Sequence, residues 1–395
     1  MTEPAVRFDL VVGGVSRFPA EAPWARRLVE RYAQTLPAQL RTSIWDHAPT
    51  LAEMHGEAPF VLIVADPEAF LVPGAARRLL DHVSSGSCDA AIPVTNEPWC
   101  EEARGAPPFP YHTPSTLEEG AAALALGDPA TYPVIAPRSP VCVVRRQAVA
   151  GADSRLELER IPEEVGRRGG RVHVDPGAYL HRYGDMSRQP RTDLAARVPA
   201  GSRAVLDVGC ARGATAAVLR NAGVRRVVGI EPNGSEAEEA RTHCDLVIDR
   251  PLEQVRQEFP GEFDAVLFGD VLEHLSDPSG ALSRVRPWLS ERGFVAATVP
   301  HVGHWSVLSD LLEGRFDYIP YSILSGTHIR FFTRRTLIDL FEASGFRIEK
   351  IEPVRFAASP AGQQKLARLA ALPGASEDLD VVEFLVVARA AQLPV

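Results

Sequence analysis

Asp207, Glu231, Asp249 and Asp270 each stand at or near the end of a short apolar run, and the first is followed at once by a glycine-punctuated turn. The run Val205-Leu206-Asp207-Val208 leads into Gly209-Cys210-Ala211-Arg212-Gly213, after which a helical pattern runs through Ala214, Ala217, Val218 and Leu219. A strand that breaks this way presents its backbone to a ligand at the C-terminal edge of an open α/β sheet. Glycines at such a turn allow a close approach. The spacing is G-x-x-x-G after an acid, not the G-x-G-x-x-G of the dinucleotide fingerprint, and no Lys-Ser/Thr phosphate loop accompanies it. The chemistry implied is recognition of a nucleoside. Glu231, at the end of Arg226-Val227-Val228-Gly229-Ile230, is placed to accept hydrogen bonds from both hydroxyls of a ribose.

The elements that must position these groups follow in order. A third run, His243 to Ile248, ends in Asp249, and a fourth, Phe263 to Gly269, runs into Asp270-Val271-Leu272-Glu273-His274-Leu275-Ser276-Asp277. Helical segments between the runs bring all four ends to one edge of a parallel sheet. Each acid also has a purely structural reading. Asp207 can cap its turn, Asp249 and Asp277 can be helix N-caps, and Glu231 before Pro232-Asn233-Gly234 can belong to a turn. The cap is preferred for Asp277 and ribose binding for Glu231, while Asp249 is left open.

With these motifs in place, roughly Arg191 to Ala391 resembles the class I S-adenosylmethionine-dependent methyltransferases. The resemblance implies a Rossmann-like sheet of seven strands, with Asp207, Gly209, Cys210 and Gly213 holding the methionine part of the cofactor. It implies that Glu231 binds the ribose, that Asp249 and Arg250 flank the adenine, and that Asp270 lines the pocket behind the sulfonium. Ala211 replaces a glycine usual in the family, a methyl group tolerable at a negative φ.

Methyl transfer to a hydroxyl needs an acceptor held against the methyl carbon and a base for its proton, and histidine suits neutral pH. His274 follows the fourth strand, His301 leaves the fifth, Gly293 to Val299, and His304 and His328 lie in an insertion before the helix that begins near Thr333. His274, His301 and His328 are the candidates for catalysis. For each taken singly a hydrogen-bonded loop residue is the preferred reading, and whether one of them serves as base is left open. Loops of this length are often lids or binding loops. The insertion resembles the same stretch in bacterial glycosyltransferase and methyltransferase fusions, with Ser325-Gly326 where an Asp-Arg pair is usual.

Residues 1–185 form a separate α/β unit, and residues 186–395 the methyltransferase-like one. Strands are expected at Phe8 to Val12, Pro59 to Ala65 and Asp89 to Val94, with helices at Trp24 to Leu36 and Ala75 to Val83. This order resembles the glycosyltransferase A-type fold. Asp66 and Glu68, in Asp66-Pro67-Glu68, are the residues that would hold Mg²⁺ or Mn²⁺ and a sugar diphosphate, although the family's Asp-x-Asp pair is missing. Asp66 is as readily the start of a turn. No other metal ligands are assigned.

Composition narrows the classes. A net charge of -9 argues against a general binder of nucleic-acid backbone. The five cysteines show no C-x-x-C pair, so neither a zinc site nor a disulfide framework is suggested. No apolar stretch reaches the length of a membrane span, and a soluble, cytoplasmic chain is expected. The expected activity is methylation of a sugar, glycan or related small metabolite by S-adenosylmethionine. The alternatives are a bifunctional glycosyltransferase and methyltransferase, and a binding protein with a vestigial methyltransferase fold.

Overall fold

The computed structural model describes residues 8–12, 40–44, 50–54, 56–65, 69–71, 74–96, 103–105, 112–126, 130–135, 137–182, 186–318 and 322–391. They fall into two compact units, Met1–Gly184 with Tyr318–Pro320, and Asp185–Asp317 with Tyr321–Val395.

In the first unit the strands are β1 (Phe8–Val12), β2 (Leu40–Ile44), β3 (Phe60–Val64), β4 (Ala69–Leu71), β5 (Ala90–Thr95), β6 (Tyr132–Val134), β7 (Val141–Arg145) and β8 (Val172–Arg182). They form one mixed sheet of order β2-β1-β3-β7-β5-β8-β4, with β6 beside β8. Every residue of Phe60-Val61-Leu62-Ile63-Val64 is buried, as an unbroken apolar run requires of a strand covered on both faces. The helices are α1 (Ala75–Ser84), α2 (Pro114–Leu126) and α3 (Ile161–Arg167). Asp175 is fully buried, and its charge is met by Arg78 at 3.0 Å on each oxygen and by His82 at 3.1 Å. The expected strands at Phe8, Phe60 and Ala90 and the helix at Ala75 are present. The expected helix at Trp24 to Leu36, and both Asp66 and Glu68, lie outside the described residues.

The second unit holds β9 (Ala204–Val208), β10 (Arg226–Ile230), β11 (Leu246–Ile248), β12 (Phe263–Gly269), β13 (Leu289–Pro300), β14 (Phe346–Arg355) and β15 (Val381–Ala390). Their order is β11-β10-β9-β12-β13-β15-β14 in one seven-stranded sheet. The first five in that order run parallel, and β15 is antiparallel to both β13 and β14. This is the expected Rossmann-like arrangement. The helices are α4 (Thr192–Ala195), α5 (Ala214–Asn221), α6 (Gly234–Ala240), α7 (Pro278–Val285), α8 (Trp305–Leu312), α9 (Arg334–Ala343) and α10 (Pro360–Ala370).

Local chemistry explains where these helices start. Asn233 caps α6 by accepting from the Ser235 and Glu236 N–H groups, and Asp277 caps α7 by accepting from the Gly280 N–H at 2.8 Å. Thr333 and Thr336 form a reciprocal capping box at the start of α9. Two features depart from the sequence reading. The third strand is confined to Leu246–Ile248, because the Asp245 carboxylate before it accepts from the Val227 N–H at 2.8 Å and from Arg220 at 2.6 Å. The insertion after β13 contains a helix, α8, whose N-cap is His304. No helix among the described residues is long and apolar enough to cross a membrane.

Candidate active site

The turn after β9 is built from residues at positive φ: Gly209 at 69°, Ala211 at 47° and Gly213 at 80°. A side chain at Gly209 would place its Cβ 2.6 Å from Val271 Cγ2, so glycine is required there for space as well as conformation. Ala211 corrects the sequence reading, which allowed the methyl group only at a negative φ. The left-handed backbone is favourable to an L-residue only with compensation, since it costs about 1–2 kcal/mol. The compensation is visible: the Ala211 N–H donates to Glu231 Oε2 at 2.9 Å.

Glu231 is 7% exposed, and its second oxygen, Oε1, accepts from the Asn233 N–H at 2.8 Å. Each carboxylate oxygen therefore uses one lone pair on the backbone and keeps another for a ligand. Burial raises the Glu231 pKa, against the pull of those two hydrogen bonds. Asp207 stands beside it, 5% exposed, with Oδ2 lacking any partner. Burial, reinforced by the neighbouring charge of Glu231, pushes the Asp207 carboxyl up to about 7.

The remaining expected cofactor residues differ in what they offer. Cys210 turns its thiol into a buried cluster with Cys244, Ala237, Ala240 and Val247, which leaves its backbone for the turn. Gly213 begins α5, where a Cβ would come 3.1 Å from Ala240 Cα. Asp249 and Arg250 are exposed just after β11, and Asp249 pairs with Arg241 at 3.2 Å.

Asp270 follows β12 at a φ of 54°, with its N–H held by Thr298 Oγ1 at 3.1 Å. Its carboxylate is paired with Arg191, a residue to which the sequence reading gave no part in the site. The same guanidinium reaches Asp193 and Glu383, each at 2.7 Å. Burial pushes the Glu383 carboxyl up to about 8, even beside that cation. Asp270 Oδ1 remains buried and unpartnered.

One turn further on, Glu273, His274 and His328 meet. The His274 and His328 ring centroids are 4.8 Å apart in an edge-to-face arrangement, and His328 Nε2 lies 3.8 Å from Glu273 Oε1. The Ile329 and Arg330 N–H groups both donate to the Glu273 carbonyl at 3.0 Å, tying the insertion to this turn. His274 Nδ1 faces the Thr327 carbonyl at 3.1 Å, and His328 Nδ1 faces the Ile323 carbonyl at 3.0 Å. A carbonyl only accepts, so Nδ1–H donates in both rings and the lone pair of each neutral imidazole sits on Nε2. Burial, then the neighbouring His274, pushes His328 down to about 4. Desolvation by the groups packed around its ring also lowers His274, although the side chain keeps an exposed edge. Glu273 is 1% exposed, neither carboxylate oxygen has a partner, and burial raises its pKa.

His301 is not part of this cluster. It is buried against Phe384, with ring centroids 5.0 Å apart, and its Nδ1 makes a long contact of 3.4 Å to the Phe332 carbonyl. It lines a cavity of about 800 Å³ together with Leu308, Arg334, Asp378 and Leu379, and none of Asp207, Gly209, Glu231 or Asp270 reaches that cavity. The sequence reading missed Arg191, Glu273 and Glu383. Glu273 carried a signal, since Asp270, Glu273 and His274 have the spacing of one helical turn. Arg191 and Glu383 carried none, being 192 positions apart.

Residues 179–351 match a family model described as a methyltransferase domain. No curated protein matches the chain. Three solved structures are similar to about half of it. An S-adenosylmethionine-dependent methyltransferase from Mesorhizobium loti is 20% identical over 50% of this chain and 96% of its own, with a TM-score of 0.35. A putative methyltransferase from Bacillus halodurans is 17% identical over 51% of this chain and 100% of its own, with a TM-score of 0.37. An S-adenosylmethionine-dependent methyltransferase from Archaeoglobus fulgidus is 17% identical over 52% and 96%, with a TM-score of 0.38. The match to a methyltransferase domain thus falls on residues 179–351 of the chain.

Proposed function

We propose that this domain binds S-adenosylmethionine along the edge formed by β9 and β10 and methylates a hydroxyl of a sugar, a glycan or a related small metabolite. The observation that carries the cofactor assignment is Glu231, a buried carboxylate fixed by the Ala211 and Asn233 N–H groups with one lone pair free on each oxygen. That is the acceptor pair a ribose diol needs. The orphaned Asp207 Oδ2 and the turn at Gly209, which has no room for a side chain, fit the same ligand. Asp249 and Arg250 are proposed to flank the adenine, and Cys210, Gly213 and Asp270 to complete the cofactor's surroundings. The first unit is proposed as a glycosyltransferase A-like domain that recognises the acceptor. Support for a sugar comes from the resemblance of the whole chain's organisation to bacterial surface-sugar enzymes.

When bound, S-adenosylmethionine supplies a methyl carbon on a sulfonium, open to in-line displacement. The chain's own part is to hold the acceptor oxygen and receive its proton. His274 and His328 support that role because each keeps Nδ1–H on a backbone carbonyl and Nε2 free. His301, packed on Phe384 at the separate cavity, has less to support it.

Calorimetric titration with S-adenosylmethionine tests the central assignment. Loss of charge-assisted hydrogen bonds to the ribose removes about 1.5–3 kcal/mol, so Glu231→Ala is expected to bind roughly tenfold to a hundredfold more weakly. Unchanged affinity removes Glu231 from the site. Metabolites extracted from the purified protein test the acceptor class, and a retained sugar nucleotide or glycan supports it.

A further inference from the structure

We propose that Glu273, His274 and His328 form a binding site for a divalent first-row transition cation, with a carboxylate oxygen of Glu273 and Nε2 of each imidazole as ligands. Three observations converge on it. The first is distance. One donor atom from each of the three residues lies within 4.8 Å of the other two, and His328 Nε2 is 3.8 Å from Glu273 Oε1. Ligands on a common ion with bonds of about 2.0–2.2 Å stand roughly 3–3.5 Å apart, so side-chain rotations that draw the donors in by about 1–2 Å suffice.

The second is orientation. A histidine that binds a metal through one nitrogen usually donates its other N–H to a carbonyl or carboxylate, which fixes tautomer and ring direction. Both rings already do this, His274 to Thr327 and His328 to Ile323. Two carbonyls of the insertion thus leave the Nε2 lone pair of each ring without a proton, and that of His328 stands 3.8 Å from the carboxylate.

The third is charge. Glu273 is 1% exposed and neither of its oxygens has a partner. A buried carboxylate without a hydrogen bond or counter-charge is costly. The nearby cation, Arg191, is already shared by Asp193, Asp270 and Glu383. A divalent ion at the cluster compensates Glu273 and the unpartnered Asp270 Oδ1 together. Two imidazoles with one carboxylate select Mn²⁺, Fe²⁺, Co²⁺, Ni²⁺ or Zn²⁺ over the all-oxygen preference of Mg²⁺ and Ca²⁺.

The ion's three protein ligands leave positions open. On the methyl-transfer reading, an ion held by both Nε2 atoms would stand in for an imidazole base: an acceptor oxygen on it would lose its proton to solvent more readily and bond to the methyl carbon as the carbon–sulfur bond breaks, releasing S-adenosylhomocysteine. The cation site itself does not rest on that reading.

Chelator-treated full-length protein titrated with Co²⁺ alone is the test, read by visible d–d absorption and equilibrium dialysis, with S-adenosylmethionine calorimetry on the same samples. One Co²⁺ per chain is expected in the wild type. Glu273→Gln and His328→Gln are expected to weaken it by more than about a hundredfold, beyond the loss that a supporting residue gives. His301→Gln is expected to bind Co²⁺ as the wild type does. His274→Gln, at an exposed position, keeps the test open should the buried variants fail to fold. Absence of specific Co²⁺ binding, or equal binding in the ligand variants, overturns the proposal. Cofactor binding that persists in that case leaves the methyltransferase reading standing, with a sulfonium or a proton meeting Glu273 instead.

Discussion

Glu231 and Glu273 are both buried glutamates at the C-terminal edge of the parallel strands of one sheet, yet they are solvated in opposite ways. Each Glu231 oxygen accepts a backbone N–H, while both Glu273 oxygens accept nothing. A carboxylate already held by amides is an instrument for neutral hydroxyls, because its charge is partly satisfied and its direction is fixed. One with no partner calls for a full positive charge. The comparison separates the edge into a recognition half, after β9 and β10, and a reactive half, after β12. Burial alone does not distinguish them. The count of hydrogen bonds does.

The largest expected effect tests whether the two halves act independently. With an acceptor in hand, His274→Asn and His328→Asn are expected to lower turnover by roughly a hundredfold to ten-thousandfold, the range associated with lost proton-transfer catalysis. Affinity for S-adenosylmethionine is expected to stay near wild type. His301→Asn is expected to keep turnover close to wild type. An equal loss in all three would dissolve the distinction between the cluster and the separate cavity. Loss of cofactor affinity in the first two would merge the halves.

A smaller effect sharpens the recognition half. In the folded chain Asp207 ionises at about 7, against the ordinary 3.8. Between those values the folded state holds a proton that the unfolded state has released, so this group's contribution to stability falls as pH rises through the window. About three pK units correspond to something on the order of 4 kcal/mol. Cofactor-free Asp207→Asn is therefore expected to melt higher than the wild type at about pH 8, with a smaller difference at about pH 5. A difference independent of pH would show that the carboxyl is not desolvated.

The smallest effect concerns the turn that holds Glu231. Ala211→Gly relieves a left-handed alanine and is expected to stabilise the protein by about 1 kcal/mol, seen as a raised melting temperature. A lowered one would mean that the flexibility glycine gives the unfolded chain outweighs the strain removed.

The sheet of the second unit was legible because its apolar runs end in polar or small residues at one edge, a pattern local to each run. Asp277 as a cap was legible for the same reason, since its partner Gly280 is three positions away. The conformation of Ala211 was not, because it is coupled to a hydrogen bond with a residue 20 positions on. The pairing of Arg191 with Glu383 joins two ends of the domain that no periodicity connects. The cluster at Glu273 falls between these cases. Two of its members are adjacent in sequence, but His328 arrives by way of an insertion whose backbone bonds to the Glu273 carbonyl. In the first unit the residues that carried the metal reading, Asp66 and Glu68, lie outside the described structure.

The position of β15 bears on how the domain comes into being. It is made last of the seven strands but sits between β13 and β14, and it pairs with both. Until Val381–Ala390 has been synthesised, β13 has an open edge and β14 has no partner in the sheet. Unpaired edges of this kind invite contacts with other chains, and pairings distant in sequence form slowly. Glu383 travels on the same strand, so the charge cluster around Arg191 is closed by the step that closes the sheet. A nascent chain stopped before this strand would carry the turn that holds Glu231 but lack both the finished sheet and the reactive half's electrostatics.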